Sequence, residues 1–184
     1  MGRSLLLFVF VIAAIMKMVH PQATEMNQIT INQKASTTTV HLVRHAEKIT
    51  TDPQDQDPGL TPAGFKRAED LKQFLKNEEI DVFFTTPYKR NKMTLTPVAQ
   101  GRKVLVYEAH DFKNLKERIM QDYSGKTVLV VGHSNTLLPI IEAFGGKKPL
   151  SEIPDSQHNN IFKLKISAKG KVQVEAQKFG AQSA

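Results

Sequence analysis

Four short stretches of this chain are almost continuously apolar or β-branched, and each is followed by a segment with helical spacing. That alternation is the tightest constraint on the fold. The stretches are 37–43 (TTTVHLV), 80–84 (IDVFF), 103–107 (KVLVY) and 126–131 (KTVLVV). A strand that is apolar at nearly every position is covered on both faces, which suits a mainly parallel sheet built from βαβ units. The helical segments carry their own punctuation. Thr61 can cap a helix with Pro62 in its first position, and Phe65, Ala68, Leu71, Phe74 and Leu75 form its expected buried face. The helix bearing Arg90 should reach about Gln100, with Pro97 kinking or ending it. Asp111 can cap a third helix that buries Phe112, Leu115 and Ile119, and a fourth runs from Thr136 to Phe144. Two further strand candidates, 161–166 and 172–179, complete the chain.

A length of 184 residues suits one domain. Residues 1–23 stand apart: Arg3 precedes an apolar run from Ser4 to Met16, and Lys17, Pro21 and Ala23 follow. A basic start, an apolar core of about 7–15 residues and a small residue at a polar exit describe a secretory signal peptide. The run is short of the roughly 20 residues of a membrane span. Pro21 fits the cleavage rule poorly, so a retained anchor stays open, and with it contact with a membrane. The expected organisation is a signal or anchor at 1–23, a linker at 24–36 and one domain at 37–184. The expected location is periplasmic or extracellular.

The chain has no cysteine, which removes disulfides, thiolate metal sites and cysteine nucleophiles. Its formal charge is +7, of which Arg3 and Lys17 belong to the leader, leaving +5 for the remainder. The basic residues are dispersed, aromatic residues make up 7% and tryptophan is absent. Nucleic-acid binding favours a basic stripe interleaved with aromatics, so that function is not expected. A basic surface with a preference for anionic substrates is the better reading.

In open parallel sheets, ligands bind beyond the carboxyl ends of the strands. Arg44-His45 and His133 follow the ends of strongly apolar strands, and the segment from Thr85 to Arg90 follows another. Two imidazoles and two guanidinium groups meeting at one edge favour a phosphorylated ligand. Guanidinium forks match phosphate oxygens, and histidine can be a neutral nucleophile or a charged donor near pH 7. Each residue alone has a plainer role, as strand-end hydrogen bonder or surface charge. His41, inside its strand, is expected to pack there.

The residues RHAEK at 44–48, LTPAG at 60–64, TTPYKRNKMT at 85–94 and GHSNT at 132–136 resemble the histidine phosphatase superfamily, with its phosphoglycerate-mutase-like fold. The motifs keep their order across residues 38–166. The resemblance implies a three-layer α/β/α sandwich and an enzyme without a metal or other cofactor. By matching motifs, His45 is the nucleophile that becomes phosphorylated, and Arg44, Arg90 and His133 hold the phosphoryl group. Thr61 caps its helix, Thr94 supports the site, and Asn135 either donates to substrate or caps. The family's general acid often follows the third strand, which points to Glu108 first and Asp111 second, although Asp111 also sits where a cap is needed.

The leading expectation is a phosphomonoesterase acting on a phosphorylated small molecule or phosphopeptide. A phosphohistidine protein phosphatase, which tolerates a missing acid, is the alternative within the same chemistry. A non-catalytic module that binds phosphate or a phosphorylated glycan is the alternative from another class. A metal site of His45 and His133 with His110 or His158 is disfavoured by the crowding arginines, and Gly146-Lys147 lacks the spacing of a nucleotide-binding loop. Nothing in the sequence indicates an oligomeric state.

Overall fold

The computed structural model describes residues 36–182. The leader expected at 1–23 lies outside the described residues, as does the linker up to residue 35. The apolar runs form β1 (Thr38–Arg44), β2 (Val82–Thr85), β3 (Val104–Val106) and β4 (Thr127–Gly132), followed by β5 (Asn160–Ile166) and β6 (Val172–Lys178). They make one six-stranded sheet in the order β3-β2-β4-β1-β5-β6. The first four of that order are mutually parallel, with Leu42 opposite Val130 and Phe84 opposite Val130 from the other side. β5 and β6 add antiparallel to the edge beyond β1.

Alternation along the central strands divides the core in two. Val40 and Leu42 of β1 and Val128 and Val130 of β4 pack with Leu115 and Ile119 of α3 (Phe112–Asp122) and with Leu137, Ile140 and Ile141 of α4 (Leu137–Ala143). Val43, Leu129 and Val131 face the other way, toward Leu71 of α1 (Pro62–Phe74) and Leu95 and Val98 of α2 (Lys89–Ala99). The result is the expected α/β/α sandwich. Phe83, Phe84 and Phe162 are fully buried in it, each contributing about 1.5–3 kcal/mol of hydrophobic stabilisation.

The caps lie where the sequence places them. Thr61 Oγ1 accepts from Gly64 N at 3.0 Å and Asp111 Oδ1 accepts from Asn114 N at 3.0 Å. Pro97 lies in the last turn of α2, which ends two residues later with Gln100 in the left-handed conformation (φ 49°).

The buried face of α1 differs from expectation. Phe65 is 51% exposed and Phe74 39%, while Gly64, Arg67, Ala68 and Leu71 are buried. Gly64 sets this line. Its Cα rests so close to the Glu47 backbone that an added Cβ would lie 2.3 Å from Glu47 O. Phe65, about 100° further round the helix, is thereby turned outward. Thr61 N also donates to Glu47 O, at 2.9 Å, so the start of α1 is moulded onto the chain leaving β1.

Gly64→Ala should therefore force the two backbones apart and cost about 1–3 kcal/mol, as overpacking does. Denaturant titration of the variant against the parent measures it, and an unchanged midpoint would show that this contact is slack.

Candidate active site

Because β2, β4 and β1 are adjacent and parallel, their carboxyl ends lie side by side. The chain leaves β1 at Arg44-His45 and β4 at Gly132-His133. Beyond β2 it passes Thr85-Thr86 and enters α2, which carries Arg90. His45 N donates to Gly132 O at 3.0 Å, carrying the ladder one residue past the strands. Asn91 Nδ2 donates to the same carbonyl at 3.1 Å and ties α2 to this edge. Arg44, His45, Arg90, His133 and Asn135 line one cavity of about 650 Å³.

The backbone fixes the tautomer of His45. Nδ1 lies 2.8 Å from the carbonyl of Ala46, which can only accept, so Nδ1 carries the proton and Nε2 the lone pair. Burial pushes the His45 pKa from 6.5 to about 2; the Ala46 hydrogen bond opposes this, and Arg44, Arg90 and His133 add to it. The imidazole is therefore neutral. Thr94 steadies this turn by accepting from Ala46 N at 2.9 Å and donating to Arg90 O at 2.7 Å.

His133 stands with its ring centroid 5.4 Å from that of His45, at 69°. Its Nε2 is 3.1 Å from Thr86 Oγ1, and its backbone N donates to Thr136 Oγ1 at 2.9 Å. Burial, then the charges of Arg90 and His110, lower its pKa to about 4. Thr136 stands at the N-cap position of α4 without a side-chain capping bond, its hydroxyl engaged with His133, and Asn135, exposed one residue earlier, lines the cavity.

The two arginines are held differently. Arg90 packs 4.4 Å over the Tyr88 ring, with Nη1 3.9 Å from Asp57 Oδ1 and a buried Nε without a hydrogen-bond partner. Arg44 Nη1 donates to the carbonyls of Pro154, Asp155 and Gln157 at 3.2, 2.8 and 3.0 Å. Its Nη2 reaches Asp155 Oδ1 at 3.3 Å. Arg44 thus clasps the segment before β5 as well as facing the cavity.

Glu108 and Asp111 are exposed and are not among the residues lining this cavity; Asp111 is committed to its cap. Six further residues line it, Glu47, Lys48, Thr50, Ser134, Asp155 and His158, of which the sequence analysis brought only His158 here, in the disfavoured metal set. Arg67 grips Glu47 through bonds of 2.6, 2.8 and 2.9 Å. Burial would raise the Glu47 pKa, yet the Arg67 bonds and charge hold it below the usual carboxylate range. His158 Nδ1 donates to His45 O at 2.9 Å. Glu47 was visible within the RHAEK motif, but no periodicity marks Asp155 or His158. Among the described residues, no group of three or more His, Cys, Asp or Glu is placed to hold a metal ion. His41 is buried on the α1–α2 side of the sheet, 3.6 Å from Glu78 Oε2, and is outside the cavity.

Comparison with known proteins bears on the family and the fold. The family model of the histidine phosphatase superfamily (branch 1) matches residues 40–127. No curated protein matches the chain. Among solved structures, the protein histidine phosphatase SixA complexed with tungstate is similar at TM-score 0.64 and 17% identity, over 76% of this chain and 96% of that one. YhfR of Bacillus stearothermophilus is similar at TM-score 0.62 and 19% identity, over 78% and 98%. A phosphoserine phosphatase mutant of Entamoeba histolytica, in complex with phosphoserine, is similar at TM-score 0.59 and 16% identity, over 78% and 97%. At these identities the likeness is one of fold.

The shifted histidines tie stability to pH. Both folded values lie below the unfolded 6.5, so below that pH the unfolded chain takes up protons that the folded one refuses. Stability is fully present above pH 6.5 and falls as the pH drops, through about 4 for His133 and on to about 2 for His45. Denaturation midpoints measured from pH 7 to 4 should decline, and His45→Gln should flatten the slope by about one proton. An unchanged slope in that variant would mean that His45 titrates normally in the folded protein.

Proposed function

Because the family model of the histidine phosphatase superfamily matches residues 40–127, we propose that the chain is a phosphatase hydrolysing phosphomonoesters through a phosphohistidine on His45. The observation that carries this reading is the neutral imidazole of His45, whose Nε2 keeps its lone pair beside Arg44, Arg90 and His133. A nucleophile must be unprotonated, and guanidinium neighbours both keep it so and attract the dianion it attacks.

In the first step Nε2 attacks phosphorus; the P–N bond forms as the bond to the leaving oxygen breaks. Arg90, the free donors of Arg44 and His133 stabilise the charge spread over the equatorial oxygens. A bound dianion favours the protonated form of His133 and makes it a second donor. In the second step water attacks the phosphohistidine, the P–N bond breaks and inorganic phosphate leaves. Substrates of this class are phosphorylated small molecules or phosphopeptides. The leader-like residues 1–23 support a place of work outside the cytoplasm, in the periplasm or beyond the cell.

A second reading, a phosphohistidine protein phosphatase, is favoured by one observation: neither Glu108 nor Asp111 lines the cavity. A phosphoramidate has a good leaving group and needs less help from an acid.

The mature protein should hydrolyse p-nitrophenyl phosphate in the presence of chelator, and His45→Ala should abolish it. Full activity in that variant would remove His45 from the mechanism. Arg90→Ala should lower kcat/KM by about 10²–10³, the scale of losing one donor to a developing charge. A brief pulse of labelled substrate should leave acid-labile, base-stable label on His45; label elsewhere would reject the assignment.

A further inference from the structure

A leaving alkoxide needs a proton, and the cavity holds two carboxylates that bear on it, Glu47 and Asp155. Glu47 is committed, with both oxygens gripped by Arg67. Asp57, 3.9 Å from Arg90 Nη1, accepts from Lys89 N at 2.8 Å and is not among the lining residues. Asp155 is placed otherwise. Its backbone carbonyl is anchored by Arg44 Nη1 at 2.8 Å, while its side chain is 92% exposed. Oδ1 accepts from Ser134 Oγ at 3.0 Å and from Arg44 Nη2 at 3.3 Å.

Asp155, Ser134 and Asn135 also border a second cavity of about 490 Å³, walled on its apolar side by Leu138, Pro139 and Ile153. The carboxylate therefore stands at the junction of the phosphate cavity and a space with room for an organic group. That is where the bridging oxygen of a phosphomonoester lies when its phosphoryl group is in the first cavity and its alcohol in the second.

We propose that Asp155 is the general acid of the reaction and that the second cavity holds the leaving group, an alcohol with an apolar portion. The proposal rests on the phosphatase reading and names its missing proton donor. A phosphate dianion that draws Arg44 Nη2 to itself takes the cation from Asp155 and sets an anion beside it. As the P–O bond breaks, its electron pair goes to the bridging oxygen, which takes the Asp155 proton. The resulting carboxylate then accepts a proton from the water that attacks the phosphohistidine, and Asp155 is restored.

The test compares substrates that differ in their need for an acid. Asp155→Asn keeps an oxygen to accept from Ser134 and Arg44, so the clasp is preserved; its thermal midpoint checks this. On glycerol phosphate its kcat should fall at least about 100-fold, and on p-nitrophenyl phosphate, whose phenolate leaves unaided, by less than about 5-fold. Glu108→Gln should show no such contrast. Equal losses on both substrates would make Asp155 a mere anchor of Arg44 and overturn the proposal. So would no loss on either, a contrast in Glu108→Gln instead, or a parent enzyme that cleaves the aryl ester but no alkyl ester. If the parent cleaves neither, the phosphatase reading itself has failed, a result distinguishable from the others.

Discussion

The hydrogen bond from His45 Nδ1 to the carbonyl of Ala46 decides which nitrogen of the imidazole keeps its lone pair. It holds only while the chain at Ala46 keeps its conformation, and that residue is held from both sides. Thr94 of α2 accepts from its nitrogen, and the next residue, Glu47, is locked between the start of α1 and Arg67. Two helices on one face of the sheet thus hold a single turn after β1. The motifs LTPAG and TTPYKRNKMT lie some distance from the reacting atoms for the most part, yet both contribute to this turn. Gly64 permits the close approach, Thr61 bonds Glu47, and Thr94 bonds Ala46.

Legibility in the sequence followed the range of the interactions. Caps were legible because they are local: Thr61 and Asp111 each bond a backbone N–H three residues on. His45 and His133 were legible because strand ends in a parallel sheet face one edge, whatever the details of packing. Phe65 was misplaced because the line of burial on α1 is set by Gly64 against Glu47, a contact between separate elements that no helical period encodes. Asp155 was not legible as a site residue, and His158 entered only through a disfavoured metal reading. They lie in an irregular segment whose position comes from Arg44 and from the His45 carbonyl, more than a hundred positions away.

Strand order accounts for the placing of Glu108. The residue follows β3, which is an edge strand separated from β4 by β2. Neighbouring strands are about 4.8 Å apart, so the end of β3 starts roughly 10 Å from the end of β4 and farther from β1. Arg44, His45 and His133 leave the two central strands directly over the cavity, whereas a residue after β3 must be carried across by its loop. Chain order alone cannot reveal this, because β2 and β3 precede β4 in sequence while β4 inserts between β2 and β1 in space.

The counter-charges within reach of the two arginines explain how such a site coexists with a stable fold. Asp57 lies 3.9 Å from Arg90 and Asp155 lies 3.3 Å from Arg44, both from loops and with side chains 39% and 92% exposed. Each pair joins a nearly buried guanidinium to a solvent-facing carboxylate, a contact that moderates the mutual repulsion of the two arginines and that solvent screens from its carboxylate side. A phosphate dianion in the cavity that Arg44 and Arg90 line would offer them charge-assisted bonds. On the proposed phosphatase reading, ligand binding at this site is an exchange of anions: solvent-facing carboxylates give way to one that both arginines can share. The proposed exchange would also free a carboxylate at the rim as the phosphoryl group arrives, so electrostatic complementarity and proton supply would follow from one rearrangement.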